Sequence, residues 1–256
     1  MESKSSDNNI AIKYHNIFNY KLTKEEAVKW QYKNYKVEVS GIKNKKRIEN
    51  EKYSKKKLQI AKNATKILEK IPTVLFVGVT GSLAMMNASK NSDVDLMVIT
   101  KSDRLWITRF VVYFLLVTNH YTLRRPLSDN EKDKLCLNMW LDEISLVWDK
   151  KDRNIYTAHE VLQVVPLINK NNTYEKFIYK NKWALSYWPN AVKIKQYDLK
   201  NTKLVEYNIM HVFEKIAFRL QYLYMKNKIT NEIVTLHKAI FHPNDWGKVI
   251  LNRLNK

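Results

Sequence analysis

Apolar residues recur at helical spacing along residues 44–70, where Leu58, Ala61, Thr65, Leu68 and Ile71 line one face and lysines fill the others. Pro72 closes this long basic helix. Thr73-Val-Leu-Phe-Val-Gly-Val79 follows, rich in β-branched and aromatic residues, and reads as a buried strand. Thr80-Gly81-Ser82 turns that strand into a short helix over Leu83 to Ala88, which Asn91-Ser92 breaks. Asp93 to Ile99 is a second strand, Leu105 to Thr118 a mostly apolar helix, and Leu135 to Leu141 a third strand. Upstream, Thr23-Lys-Glu-Glu26 has the form of a capping box, with Ala27 and Trp30 continuing an apolar face. Val37-Glu-Val39 before Gly41 predicts a short strand. After Arg153 the pattern is helical: Thr157-Ala-His-Glu160 reads as another capping box, opening a helix that Pro166 ends. Tyr174, Phe177, Ile178, Leu185 and Trp188 share a face. The run Leu204, Val205, Ile209, Val212, Phe213, Ile216, Ala217, Leu220 and Leu223 makes the clearest amphipathic helix, and 231–241 and 246–254 predict two shorter ones.

This order predicts an α/β fold with three parts: a small N-terminal helix and strand unit over 1–43, a mixed-sheet core over 44–150, and a helical C-terminal domain over 151–256. The chain of 256 residues is long enough to bury a proper core without staples. Its single cysteine, Cys136, excludes a disulfide framework and reads as a small buried hydrophobe in a reducing, cytoplasmic compartment. The longest unbroken apolar run, Phe110 to Val117, is eight residues, far short of the roughly 20 that span a bilayer, so no membrane partner is expected.

The net charge of +20 is distributed unevenly. Residues 1–42 carry +2, residues 43–70 carry +8, residues 71–150 are neutral, and residues 151–256 carry +10. Of the 45 basic residues 37 are lysine, a bias that AT-rich coding also produces, but such bias spreads charge uniformly. A neutral centre between basic flanks points to a polyanionic partner. Lys55, Lys56 and Lys57 are candidate phosphate contacts on the basic helix.

The candidate chemistry lies in the neutral centre. Two of only four glycines, Gly78 and Gly81, fall where the first core strand ends. Gly81 frees the backbone to turn, and Ser82 opens a helix whose N–H groups favour an anion. No Gly-Lys-Ser/Thr follows, so this is not a Walker A loop. Downstream comes Asp93-Val94-Asp95, whose alternation puts both carboxylates on one strand face about 6–7 Å apart. Like charges on an otherwise apolar strand repel unless a cation neutralises them. Hard oxygen ligands beside a phosphate cradle suit Mg²⁺ or Mn²⁺.

The string Val79-Thr-Gly-Ser82, then Asp93-Val-Asp95-Leu, resembles the signature of the DNA polymerase β-like nucleotidyltransferase superfamily, a Gly-Ser turn followed by an Asp-x-Asp pair with apolar flanks. The resemblance covers residues 73–143. It implies a mixed sheet backed by helices, an NTP donor (ATP or CTP), two divalent ions, and transfer of a nucleotidyl group with release of pyrophosphate. Carried over by position, the resemblance implies that Gly81 and Ser82 would grip the triphosphate and that Asp93 and Asp95 would hold metal. A looser resemblance, to uncharacterised nucleotidyltransferase-domain proteins, rests on Phe18-Asn-Tyr20, Leu22 to Glu26, Arg104 to Arg109, Asn138 to Glu143 and Asn154 to Glu160. The superfamily has a third carboxylate on the next core strand. Asp142 is the candidate here, although it lies four residues, about 13 Å, beyond the strand's middle. Asn138 as a neutral ligand is the alternative, and a catalytically silent domain that binds nucleic acid stays open.

Arg104, Arg109, Arg124 and Arg125 are half of all the arginines and lie in the neutral centre. Arg109, on the apolar helix, is the candidate for the nucleotide. The six histidines form no zinc-like spacing with Cys136, and no Gly-x-Ser-x-Gly elbow supports acyl chemistry. The expected acceptor is an RNA or other nucleic-acid end, because basic segments flank the core. A protein or a small molecule is the alternative acceptor.

Overall fold

A computed structural model describes residues 10–124, 130–193, 209–230, 232–241 and 245–255. In chain order the elements are α1 (Ile10–Ile17), α2 (Lys24–Lys29), α3 (Lys45–Leu68), β1 (Val74–Val79), α4 (Gly81–Ala84), β2 (Val94–Thr100), α5 (Leu105–Thr118) and β3 (Leu135–Asp142). They continue as α6 (Ile155–Leu162), β4 (Val165–Asn169), α7 (Thr173–Lys180), α8 (Ile209–Met225), β5 (Ile233–Val234), β6 (Lys238–Ile240) and α9 (Trp246–Leu254). The described residues thus form a mixed α/β protein with one six-stranded sheet and nine α-helices, in strand order β4-β1-β2-β3-β6-β5. Only β2 and β3 pair in parallel, across the helical crossover α5. The other pairings are antiparallel.

Strands β1 to β3 are covered on both faces, which is why they read as nearly continuous apolar runs. On one face Val77, Val79, Leu96 and Val98 pack with Ala61, Ala64 and Leu68 of α3 and with Trp106, Val112 and Leu116 of α5. On the other face Phe76, Met97 and Ile99 meet Tyr14 of α1, Ala27 of α2, Ala158 and Val161 of α6, Phe177 of α7 and Ile250 of α9. The N-terminal segment therefore belongs to this second layer. Its capping box forms as predicted, with Thr23 and Glu26 bonded reciprocally.

Three local expectations change. Val37 to Val39 forms no strand, and the helix after Gly81 is a single turn ending at Ala84. Helix α6 starts earlier than Thr157 suggests, because Asn154 is its cap and Thr157 is the partner inside the capping box. Larger is the change after residue 151. The helical periodicity there predicts an all-helical unit, yet this part of the chain supplies β4, β5 and β6, which occupy both edges of the sheet. Pro166 does not end a helix but lies within edge strand β4, where a missing N–H is tolerated. Where the pattern predicts a helix over 231–241, residues 233–240 form the β5–β6 hairpin, while 246–254 is helical as expected. Leu204, Val205 and Arg125 lie outside the described residues. No helix among the described residues is long and apolar enough to cross a membrane.

Candidate active site

The turn from β1 to α4 and the start of β2 form one surface. Thr80 donates its backbone N–H to the Asp95 carbonyl at 3.1 Å, and Gly81 takes φ +59°, a left-handed conformation open to glycine at little cost. A Cβ at Gly81 would lie 2.8 Å from Asp95 Oδ2, so any side chain there would press on the carboxylate. Ser82 is exposed beside this contact. Asp93 is buried just before β2, and Asp95 is half-buried within it.

Neither carboxylate is fully compensated. Arg124 reaches Asp93 Oδ2 at 2.9 Å and Glu131 at 2.5 Å, while Asn138 donates to Asp95 Oδ1 at 2.7 Å. Burial, and then the charge of Asp93, push the Asp95 carboxyl up to about 7. Burial and the same two carboxylates raise the neighbouring Cys136 thiol, which therefore stays protonated. From α6, Glu160 is pushed up to about 8 by burial and then by Asp95, and Tyr156 is raised by burial, Glu160 and Asp95. Sequence reasoning gave neither Glu160 nor Arg124 a place at this site. The arginine clustering was the available signal for Arg124, whereas the electrostatic influence of Glu160 on Asp95 arises only through the packing of α6 against the sheet.

The third expected carboxylate is elsewhere. In the β2–β3 ladder Leu96 pairs with Leu137 and Met97 with Met139, so Asn138 is an extra residue in β3. Such a bulge reverses the side-chain alternation beyond it. Leu137 and Trp140 consequently share one face, Met139 and Leu141 the other. Asp142 pairs with Thr100, five residues and about 16 Å along β2 from Asp95, and on the opposite face. It caps the turn over Glu143–Ser145 through the N–H groups of Ile144 and Ser145. Asn138, its alternative, is the residue that touches Asp95.

Arg109 is also placed away from the acidic pair. It donates to Gln221 of α8 at 2.6 Å and stacks near Trp106, Tyr113 and Phe241, inside the α5–α8 packing. Of the three lysines, Lys57 is 1% exposed and donates to Ser92 O at 2.7 Å and Asp133 Oδ1 at 2.6 Å. It cannot meet an external phosphate. Lys55 and Lys56 are exposed, with Lys56 3.3 Å from Asp133. Lys57 belongs to a buried polar stripe on α3 with Arg47, Asn50 and Ser54. Asn50 holds Asn87 and Ser54 accepts from Ala88 N, so this stripe pins the segment that joins the Gly81 turn to Asp93.

Ligand atoms of Asp93, Asp95 and Cys136 lie within 4.8 Å of one another. Two close carboxylates, one too desolvated to ionise readily, fit a hard divalent cation better than the protonated thiol does. The described residues bring two of the three expected carboxylates to this point. Comparison of the chain with protein-family models, with curated proteins and with solved structures finds no match.

Proposed function

We propose that this protein is a metal-dependent nucleotidyltransferase that moves a nucleotidyl group from an NTP, ATP or CTP, to an acceptor and releases pyrophosphate. The observation that carries the reading is the contact of Gly81 with Asp95, which makes the glycine turn and the acidic strand a single site. Asp93 and Asp95 would hold one Mg²⁺ or Mn²⁺, and that ion would supply positive charge to the triphosphate oxygens. A second ion would need further oxygen ligands from the nucleotide. The Gly81 turn keeps backbone free of side chain where phosphate approaches, and Ser82 offers its hydroxyl. In this reading Arg124 takes the place expected of Arg109, since its partly exposed fork already lies against Asp93.

A nucleic-acid acceptor, an RNA end in particular, is supported by the outer faces of α3, where Lys45, Lys46, Lys52, Lys55, Lys62 and Lys66 are exposed. A silent nucleotide-binding module is the second reading. The amide of Asn138 favours it, because an amide contacts Asp95 from β3 and cannot take a proton from an acceptor.

Incubation with each α-labelled NTP, Mg²⁺ and total RNA tests both. Transfer is expected to require the metal and to be lost in Asp93→Asn and in Asp95→Asn, with the labelled product sensitive to nuclease. Nucleotide binding without incorporation in the parent would select the silent module, and label that resists nuclease but yields to protease would move the acceptor to protein. Gly81→Val is expected to weaken nucleotide binding more than Ser82→Ala, which removes one hydrogen bond of about 1.5–3 kcal/mol.

A further inference from the structure

At the far end of β3, four side chains from four separate segments converge, and none of them serves the site at Gly81. Asp103 lies between β2 and α5, Asp142 is the last residue of β3, His211 is in the first turn of α8, and His237 is in the β5–β6 turn. His237 Nδ1 is 2.7 Å from Asp142 Oδ2 and 3.7 Å from Asp103 Oδ1, and His211 Nδ1 is 3.3 Å from Asp103 Oδ1. We propose that Asp103, Asp142, His211 and His237 bind one divalent transition-metal ion of the zinc class, independently of the Asp93–Asp95 site.

Asp103 is the first argument. Its side chain is 7% exposed, and its Oδ1, aimed between the two imidazoles, accepts no hydrogen bond among the described residues. A buried carboxylate oxygen left this way is costly, and a native fold retains one where an unseen partner satisfies it. The spacing is the second. Four ligands at 2.0–2.1 Å around a tetrahedral ion stand about 3.3 Å from one another, close to the separations of Asp103 Oδ1 from the two imidazole nitrogens. The His237–Asp142 pair would open by about 0.6 Å to match. Preorganisation is the third. Asp142 is fully buried, its Oδ1 fixed by the N–H groups of Ile144 and Ser145 and its Oδ2 by that of Asp103 at 3.1 Å. Two imidazoles with two carboxylates select the zinc class over Mg²⁺, which prefers an all-oxygen shell. The ion would tie the two-residue strand β5 and its hairpin to α8 and to the central strands, a stapling role for a short edge. Neither histidine shows zinc-like spacing in the sequence, because the ligands come from positions 103, 142, 211 and 237.

Titration of the chelator-stripped full chain with ZnCl₂ tests this, followed by equilibrium dialysis and thermal unfolding, with Co²⁺ as a spectroscopic probe of nitrogen and oxygen ligation. One equivalent is expected in the parent, with a raised melting temperature. Asp103→Asn and His237→Gln should each weaken binding by at least tenfold while the circular dichroism of the stripped protein is unchanged. His237 is partly exposed, so its substitution keeps the test informative even where Asp103→Asn disturbs the fold. Asp95→Asn should bind zinc like the parent, so the outcome is separate from that of the nucleotidyltransferase assay. Absence of a bound equivalent would overturn the proposal, as would parent-like affinity in His237→Gln. Loss of zinc in Asp95→Asn with retention in His237→Gln would place the ion at Cys136 instead.

Discussion

The two ends of the β2–β3 pair both gather carboxylates, and they treat them in opposite ways. At the Gly81 end Asp95 is bonded by the side chains of Asn138 and Cys136, without a backbone donor among the described hydrogen bonds, and burial with the repelling Asp93 pushes its pKa up to about 7. At the other end Asp142 is buried more deeply yet receives three backbone N–H groups and an imidazole. A buried carboxylate supplied with backbone donors is fixed in place before any ligand arrives, while one left short of donors depends on a ligand for its charge balance. By that measure Asp142 is held in place by the backbone, with the oxygen it turns to His237 left to meet an ion, and the buried carboxylate oxygen without a hydrogen-bond partner among the described residues is Asp103 Oδ1. Residue type alone places Asp142 with the Asp93–Asp95 pair, from which the fold separates it.

Removal of the carboxylate charge at the two ends should therefore have opposite effects on the stability of the metal-free protein. Asp142→Ala leaves three buried N–H groups and His237 without their acceptor and should cost about 3–5 kcal/mol by urea unfolding in chelator. A loss under about 1 kcal/mol would break the comparison. Lys57→Gln, which strips Asp133 and the Ser92 carbonyl of a buried ammonium, should cost about 2–3 kcal/mol and loosen the segment leading into Asp93. Asp95→Asn should instead gain about 1 kcal/mol in chelator, because it removes the repulsion with Asp93 while its amide oxygen still accepts from Asn138. A clear loss there would mean that Asp95 is as well supported as Asp142. The smallest effect belongs to the surface. Lys55→Gln with Lys56→Gln should leave the melting temperature unchanged and lower the salt slope of RNA binding by about 0.7 unit for each of the two lysines that meets a single-strand phosphate. An unchanged slope would make the outer face of α3 a solvated surface and favour a small-molecule or protein acceptor.

Helices α3 and α8 carry the same lesson about pattern. Lysine spacing marks α3 as a polar rod with an apolar seam, yet the first half of its buried stripe is Arg47, Asn50, Ser54 and Lys57. Helix α8 buries Glu214, which caps α5 through the N–H groups of Trp106 and Ile107, and exposes Phe213, Ile216, Leu220 and Leu223. Periodicity located both helices and assigned their inner faces only in part, because a paired or hydrogen-bonded polar group is as buriable as a leucine.

What the sequence determined on its own is whatever depends on near neighbours. The capping box at Thr23 and Glu26, the bounds of α5, the apolar runs of β1 to β3, the Gly81 turn and the Asp93–Asp95 pair are all legible because each is a local steric or solvation preference. The edge strands were not, since β5 and β6 are two and three residues long and exist through the hydrogen bonds of a distant partner. Nor were the partners of the acidic pair, Arg124 and Asn138, or the convergence of residues 103, 142, 211 and 237. The bulge at Asn138 decided most. It is a property of the β2–β3 pairing, not of β3, and by shifting the alternation one place it sent Asp142 to the opposite face of the sheet.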